Sequence, residues 1–209
     1  MGLKKTSEAG TALRRVEERT YPRDAGGLIA QLRDADPAVR RWAARDLAVH
    51  AEAAPRLCAQ LLEERDASVR AVLFSSAAQL GGSAVVEGLL PLLRSDDAAL
   101  RNGAIEVLSG LPEAVAPHID ALLRDVDSDV RLFTVNLLGN LPHAQVPEWL
   151  GRVLNTETEA NVVGAAIEVL AEVGNRSLAQ PLRAVRLRFA DDPFIGFAAE
   201  VALERIEAA

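Results

Sequence analysis

The stretch Leu28-Ile-Ala-Gln-Leu-Arg-Asp-Ala-Asp-Pro-Ala-Val-Arg-Arg-Trp-Ala-Ala-Arg-Asp-Leu-Ala48 holds two helices and the break between them. Leu28, Ile29 and Leu32 form an apolar stripe at helical spacing. The segment Arg33 to Asp36 interrupts it, and Asp36 then precedes Pro37, a favourable N-cap followed by proline at the first helical position. Val39, Ala43, Ala44 and Leu47 follow as one apolar face of a second helix. The stretch predicts two antiparallel helices joined by a tight acidic turn.

The same skeleton returns along the chain in the pairs Asp36/Arg40, Asp66/Arg70, Asp97/Arg101, Asp127/Arg131, Glu159/Val163 and Asp192/Gly196. Their second members lie 30, 31, 30, 32 and 33 residues apart. The residue before each is apolar (Val39, Val69, Leu100, Val130, Val162, Ile195), and so is the residue seven after it (Leu47, Ala77, Leu108, Leu138, Leu170, Leu203). A unit of this length cannot close a core alone, so the units must stack. First helices are expected near 24–33, 55–64, 84–94, 115–124, 146–154 and 177–189. Second helices are expected near 37–49, 67–80, 98–110, 128–140, 160–173 and 193–206. Gly81-Gly82, Leu111-Pro112, Leu141-Pro142 and Gly174-Asn175 punctuate the units, and Pro55, Pro117 and Pro147 stand near first-helix starts. The expected fold is all-α, a right-handed α-solenoid of about six two-helix repeats over residues 23–209. Residues 1–22 stand outside the register as an N-terminal arm or cap, with Ala12 to Arg19 able to cover the open end of the first repeat.

A two-helix unit with Asp at the turn and Val-Arg opening the second helix resembles the HEAT repeat. The period near 31 is most similar to the short bacterial, phycobilisome-lyase-type HEAT-like repeat. The family's turn Asp, six before its Arg, is matched at Asp34 and Asp125 and approximated by Glu64, while Ser95 departs from it. Val163 and Gly196 replace the Arg, so an inter-repeat acid–Arg ladder is expected to lapse there. The resemblance speaks to fold and says little of function, because one fold hosts many jobs. It also raises a bilin lyase-like or other modifying enzyme as an alternative, although no cysteine or aromatic cluster is present to hold a bilin. The acid/Arg pairs read as N-caps that oppose the positive helix end, at the i, i+4 spacing that suits an ion pair.

Of the 209 residues 49% are hydrophobic and only 4% aromatic, which favours closely packed helices over strands. A net charge of −7 argues against nucleic acid or an anionic membrane as the partner. Residues 1–50 nevertheless carry 10 basic against 7 acidic groups, leaving the first part of the chain locally basic. Cys58, the single cysteine, lies in an apolar run and reads as a buried, inert thiol. No apolar run reaches membrane-spanning length and Met1 to Lys5 does not open a signal peptide, so a cytoplasmic protein is expected. His50, His118 and His143 are scattered, none precedes Glu, and no G-x-S-x-G, P-loop or G-x-G-x-x-G run occurs. No catalytic residue, cofactor or metal site is therefore expected. Trp42, beside Arg40, Arg41 and Arg45, occupies a position held elsewhere by Val72, Phe133 and Ala165, and packing explains it most simply.

In such solenoids the second helices line the concave side. Positions one, five and nine after the Arg position share a face. They supply Arg41 and Arg45, then Ser75 and Gln79, then Asn102 and Glu106, then Asn136 and Asn140, then Glu168 and Glu172. The row runs from basic through neutral amides and hydroxyls to acidic. It is a candidate groove for a protein or peptide partner, with the asparagines available to backbone amides. A solvated face must also be polar, so the gradient admits either reading. The function expected from the sequence is a non-catalytic scaffold or adaptor.

Overall fold

A computed structural model of the chain describes residues 21–208. Residues 1–20 lie outside it, and with them nearly all of the arm or cap expected over 1–22.

The described residues form twelve α-helices and no strand. They run as six hairpins: α1 (Ala25–Gln31) with α2 (Pro37–Asp46), α3 (Ala54–Glu63) with α4 (Ala67–Leu80), α5 (Gly82–Leu89) with α6 (Ala98–Ser109), α7 (Pro112–Leu122) with α8 (Ser128–Gly139), α9 (Val146–Thr156) with α10 (Ala160–Val173), and α11 (Ala179–Arg188) with α12 (Pro193–Ala208). Each even-numbered helix packs on the next one, from α2 through to α12. In the odd-numbered layer α3 packs on α5, α5 on α7 and α9 on α11, while α7 and α9 touch little. The even-numbered helices thus form one unbroken layer, the side expected from the sequence to be concave.

Two boundaries differ from the sequence expectation for reasons that proline supplies. α7 begins at Pro112, not near 115, because Pro112 takes the first helical position and leaves Pro117 inside the helix. Beyond Leu89 the chain tightens into a 3-10 segment, Leu90–Arg94, because Pro91 has no N–H for the Glu87 carbonyl.

The core is one continuous sheet of side chains between the two layers. Of the twelve register positions eleven are buried, and Val39 alone is half-buried. Val39 belongs to the first hairpin, whose outer side has no described neighbour. The helices approach closely enough to need glycine at specific contacts. A Cβ at Gly88 would lie 2.6 Å from Cys58 Cβ, and one at Gly103 would lie 2.4 Å from the Phe74 ring.

The turn acids and arginines set the spacing of the stack. Asp24, Asp36, Asp66, Asp97 and Asp127 accept backbone N–H bonds as N-caps, and Asp192 accepts from Phe194 and Ile195. Glu159 does not cap α10 with its side chain. Glu157 accepts from the N–H groups of Thr158 and Glu159 ahead of the helix, as Glu64 does from those of Arg65 and Asp66. The i, i+4 ion pairs expected within each unit do not form among the described residues, because a capping carboxylate is turned back toward its own helix. Arg40, Arg70 and Arg131 reach instead to an acid of the following repeat, whereas Arg101 lies over the Phe133 ring, 4.3 Å from its centroid, and makes no ion pair among the described residues. Arg40 donates from Nε and Nη2 to the Glu64 carboxylate at 2.7 and 2.8 Å, and Arg131 does the same to Glu157 at 2.7 and 3.0 Å. Where Ser95 replaces the turn acid, Arg70 takes Asp97 at 2.6 Å, and Asp125 is paired with Arg94. Each ladder arginine also donates to a carbonyl of its own turn, as Arg40 does to Asp34 and Ala35. The ladder ends after Glu157, as the loss of Arg at Val163 implies. Arg188 fills the vacant role from α11, donating to the carbonyls of Leu154, Asn155 and Glu157.

These contacts tune the acids. Hydrogen bonding from Arg40 holds the Glu64 carboxyl below its ordinary range. Burial pushes Glu157 upward, but the bonds from Arg131 and from two backbone N–H groups outweigh it and leave it lowered.

Candidate partner-binding surface

The even-numbered helices carry the predicted row on one face. Arg45, Ser75, Gln79, Asn102, Glu106, Asn136, Asn140, Glu168 and Glu172 are all exposed, and Arg41 is half-buried. Their placement follows from the register. With positions −1 and +7 from the Arg site turned into the core, positions +1, +5 and +9 are carried to the opposite side.

The middle of the row is a shared groove. Asn102, Ile105, Glu106 and Ser109 of α6, with Asn136 of α8 and Asn140 at its C-cap, line a cleft of about 420 Å³. Ser109 is satisfied within it, donating to the Ile105 carbonyl at 2.8 Å. The carboxamides of Asn102 and Asn136 make no hydrogen bond to any described residue, so both donor and acceptor sides of each stay available. Glu106 is likewise without an ion pair among the described residues.

The basic end is more committed than the sequence suggests. Arg41 donates to Ser68 Oγ at 2.7 Å, bridging α2 to α4. The Arg45 guanidinium lies over the Trp42 ring, its carbon 3.8 Å from the ring centroid. Trp42 itself is 55% exposed, so core packing does not explain it. The ring borders a cleft of about 280 Å³ together with Tyr21, Arg23, Gln31 and Asp34. Bulk alone was no clear signal, since Val72 and Ala165 fill the equivalent place with far smaller side chains but Phe133 fills it with an aromatic ring.

At the acidic end, Glu168 and Glu172 of α10 face Phe194, Phe197, Val201 and Arg205 of α12 across a cleft of about 380 Å³. Phe194 and Phe197 are 60% and 68% exposed. Neither was among the row residues named from the sequence: Phe197 holds the first of the three positions in the last repeat, and Phe194 lies outside them.

Among the described residues no three of His, Cys, Asp and Glu converge as metal ligands. His143 stacks on Trp149 with centroids 4.9 Å apart, and His50 sits beside Glu52. No described helix is long and apolar enough to cross a membrane.

The family profile described as HEAT repeats matches residues 26–109 and 115–204. No curated protein shows significant similarity to the chain. Among solved structures, an engineered protein from a structural genomics consortium is 24% identical, with a TM-score of 0.43, over 88% of this chain and 97% of its own. A computationally designed armadillo repeat protein for modular peptide recognition is 18% identical, with a TM-score of 0.42, over 88% of this chain and all of its own (100%). The CpcE–CpcF complex of phycocyanin lyase from Nostoc sp. PCC7120 is 17% identical, with a TM-score of 0.38, over 97% of this chain and 99% of that one.

Proposed function

The chain belongs to the HEAT-repeat family, and from that premise we propose that it is a non-catalytic scaffold or adaptor that grips a protein or peptide along the inner face of the stack. The observation that carries this reading is the central groove, where Asn102 and Asn136 offer unpaired carboxamides on neighbouring helices. A carboxamide presents one donor edge and one acceptor, the complement of a peptide bond, and so binds backbone without demanding a side-chain sequence. Charge on either side then sets direction, with Arg41 and Arg45 toward one end and Glu168 and Glu172 toward the other. Such complementarity selects partner and orientation more than it adds affinity.

The test is capture of the partner from native lysate, followed by binding measurements with two double variants. Arg41→Glu with Arg45→Glu, and Glu168→Lys with Glu172→Lys, are each expected to weaken binding at least tenfold, chiefly through slower association at low salt. Unchanged affinity in both removes the inner face from consideration. Turnover of a bilin pigment would instead make the protein an enzyme, and a stable absorbance change would favour that alternative by showing that the pigment binds.

A further inference from the structure

The chain has five phenylalanines, and two of them, Phe194 and Phe197, stand in water on the inner face of the last hairpin. The register does not ask for them. Ala38, Ser68, Ala99, Asp129 and Asn161 occupy the place of Phe194 in the other repeats, and Arg41, Ala71, Asn102, Leu132 and Gly164 that of Phe197. Nor do they belong to the end surface of the stack. That surface is a separate cleft lined by Arg183, Arg186, Leu187, Phe189 and Gly196. Phe194 lies over Gly164, whose missing side chain gives the ring room, since a Cβ there would come within 3.1 Å of it.

The opposite wall is acidic. Glu168 and Glu172 sit one turn apart on α10, exposed, with no ion pair to any described residue. Like charges at i, i+4 repel, and a cation placed between them relieves that repulsion. An apolar wall facing an acidic wall selects a segment that carries an apolar side chain and a positive charge side by side. A second copy of this chain carries a net charge of −7 and would have to offer its locally basic first part, an occupant that the oligomeric state tests.

We infer that the groove between α10 and α12 binds a basic amphipathic peptide segment of the partner, seating an aromatic or aliphatic side chain between Phe194 and Phe197 and a Lys or Arg against Glu168 and Glu172. This rests on the inner face being the binding surface and names the chemistry of one end of it. Arg205 lines the same groove and keeps the partner's cation on the α10 side. Buried aromatic anchors dominate interfaces, so Phe197 carries most of the affinity and the two glutamates most of the selectivity.

Selection of a displayed random dodecapeptide library on the full chain tests this directly. The expected consensus is an aromatic or aliphatic residue within four positions of Lys or Arg. Synthetic peptides of that consensus should bind Phe197→Ala at least tenfold more weakly. Glu168→Gln with Glu172→Gln should produce a similar loss, and raising the salt should weaken binding to the parent chain. Phe197→Ser serves as a second truncation, and Phe197 is exposed, so the helical circular dichroism should not change in either. An acidic consensus, no enrichment at all, or peptides indifferent to Phe197 would overturn the inference. Peptides indifferent to Phe197 but weakened by Asn102→Ala and Asn136→Ala overturn it while sparing the inner face, whereas peptides indifferent to every one of these changes sink both readings. Dimerisation of the chain that Phe197→Glu abolishes would also overturn it, by giving the groove to a second copy.

Discussion

Replacing Glu64 with alanine should unlock the first two hairpins from each other. Its side chain is 2% exposed and accepts four hydrogen bonds, from Arg40 Nε and Nη2 and from the N–H groups of Arg65 and Asp66. Removal of one member of a buried pair strands the other, which costs about 3–5 kcal/mol. Arg40 keeps its bonds to the Asp34 and Ala35 carbonyls and is 15% exposed, so the lower end applies, about 3 kcal/mol. For a chain of this size that lowers Tm by roughly 6–12 °C. Glu64→Gln, which keeps the shape and loses the charge, should cost about 2 kcal/mol. The double variant Arg40→Met with Glu64→Leu strands no buried charge, though it frees the N–H groups of Arg65 and Asp66 and the carbonyls of Asp34 and Ala35, and it should cost less than Glu64→Ala alone, about 1–2 kcal/mol. Urea unfolding followed by circular dichroism measures all of these. Because each repeat touches only its neighbours, hydrogen exchange should show the loss concentrated in α1 to α4. The reasoning fails if Glu64→Ala stays within about 0.5 kcal/mol of the parent, or if the Arg40 and Glu64 effects simply add.

Glu64 and Glu157 both have folded-state values below the ordinary carboxylate value of 4.5, so their stabilising contribution is complete above that pH. It should be lost as pH falls below 4.5 through the folded values, and Glu64→Gln should flatten the acid limb of a stability–pH curve. Gly88→Ala should destabilise by about 1–3 kcal/mol despite alanine's better helix propensity, because the new methyl meets Cys58 Cβ at 2.6 Å; a raised Tm would refute the close approach. Desolvation pushes the Cys58 thiol up to about 11, so a thiol reagent at pH 8 should label it only at the rate of local unfolding, and prompt labelling of the folded chain would contradict its burial.

The hairpins were legible because their signals are local. The helix period, a capping Asp and the turn residues all lie within one unit, and Asp66 before α4 or Asp97 before α6 stands where a cap is needed. What escaped depends on contacts between units. The partner of Arg40 is 24 residues away, whereas the carboxylate four residues away is occupied by its own helix terminus. Arg188 supplies the turn of another repeat from 31 residues beyond Glu157, a substitution no motif announces. Gly88 and Gly103 look like weak points in helices until Cys58 and Phe74 are seen against them. The candidate row was legible because a strict register leaves one face to solvent. That Arg45 would be spent on Trp42, and that Phe194 would share the groove of Glu168 and Glu172, required the packing of side chains across helices.

Photo-crosslinking tests the central claim most directly. With a photoreactive amino acid placed at Ser75, Asn136 and Glu172 on the even-numbered helices, and at Glu87, Glu113 and Arg183 on the odd-numbered ones, illumination of the captured complex should give partner adducts from the first three sites. Adducts confined to Glu87, Glu113 and Arg183 would place the partner on the outer layer and contradict the account.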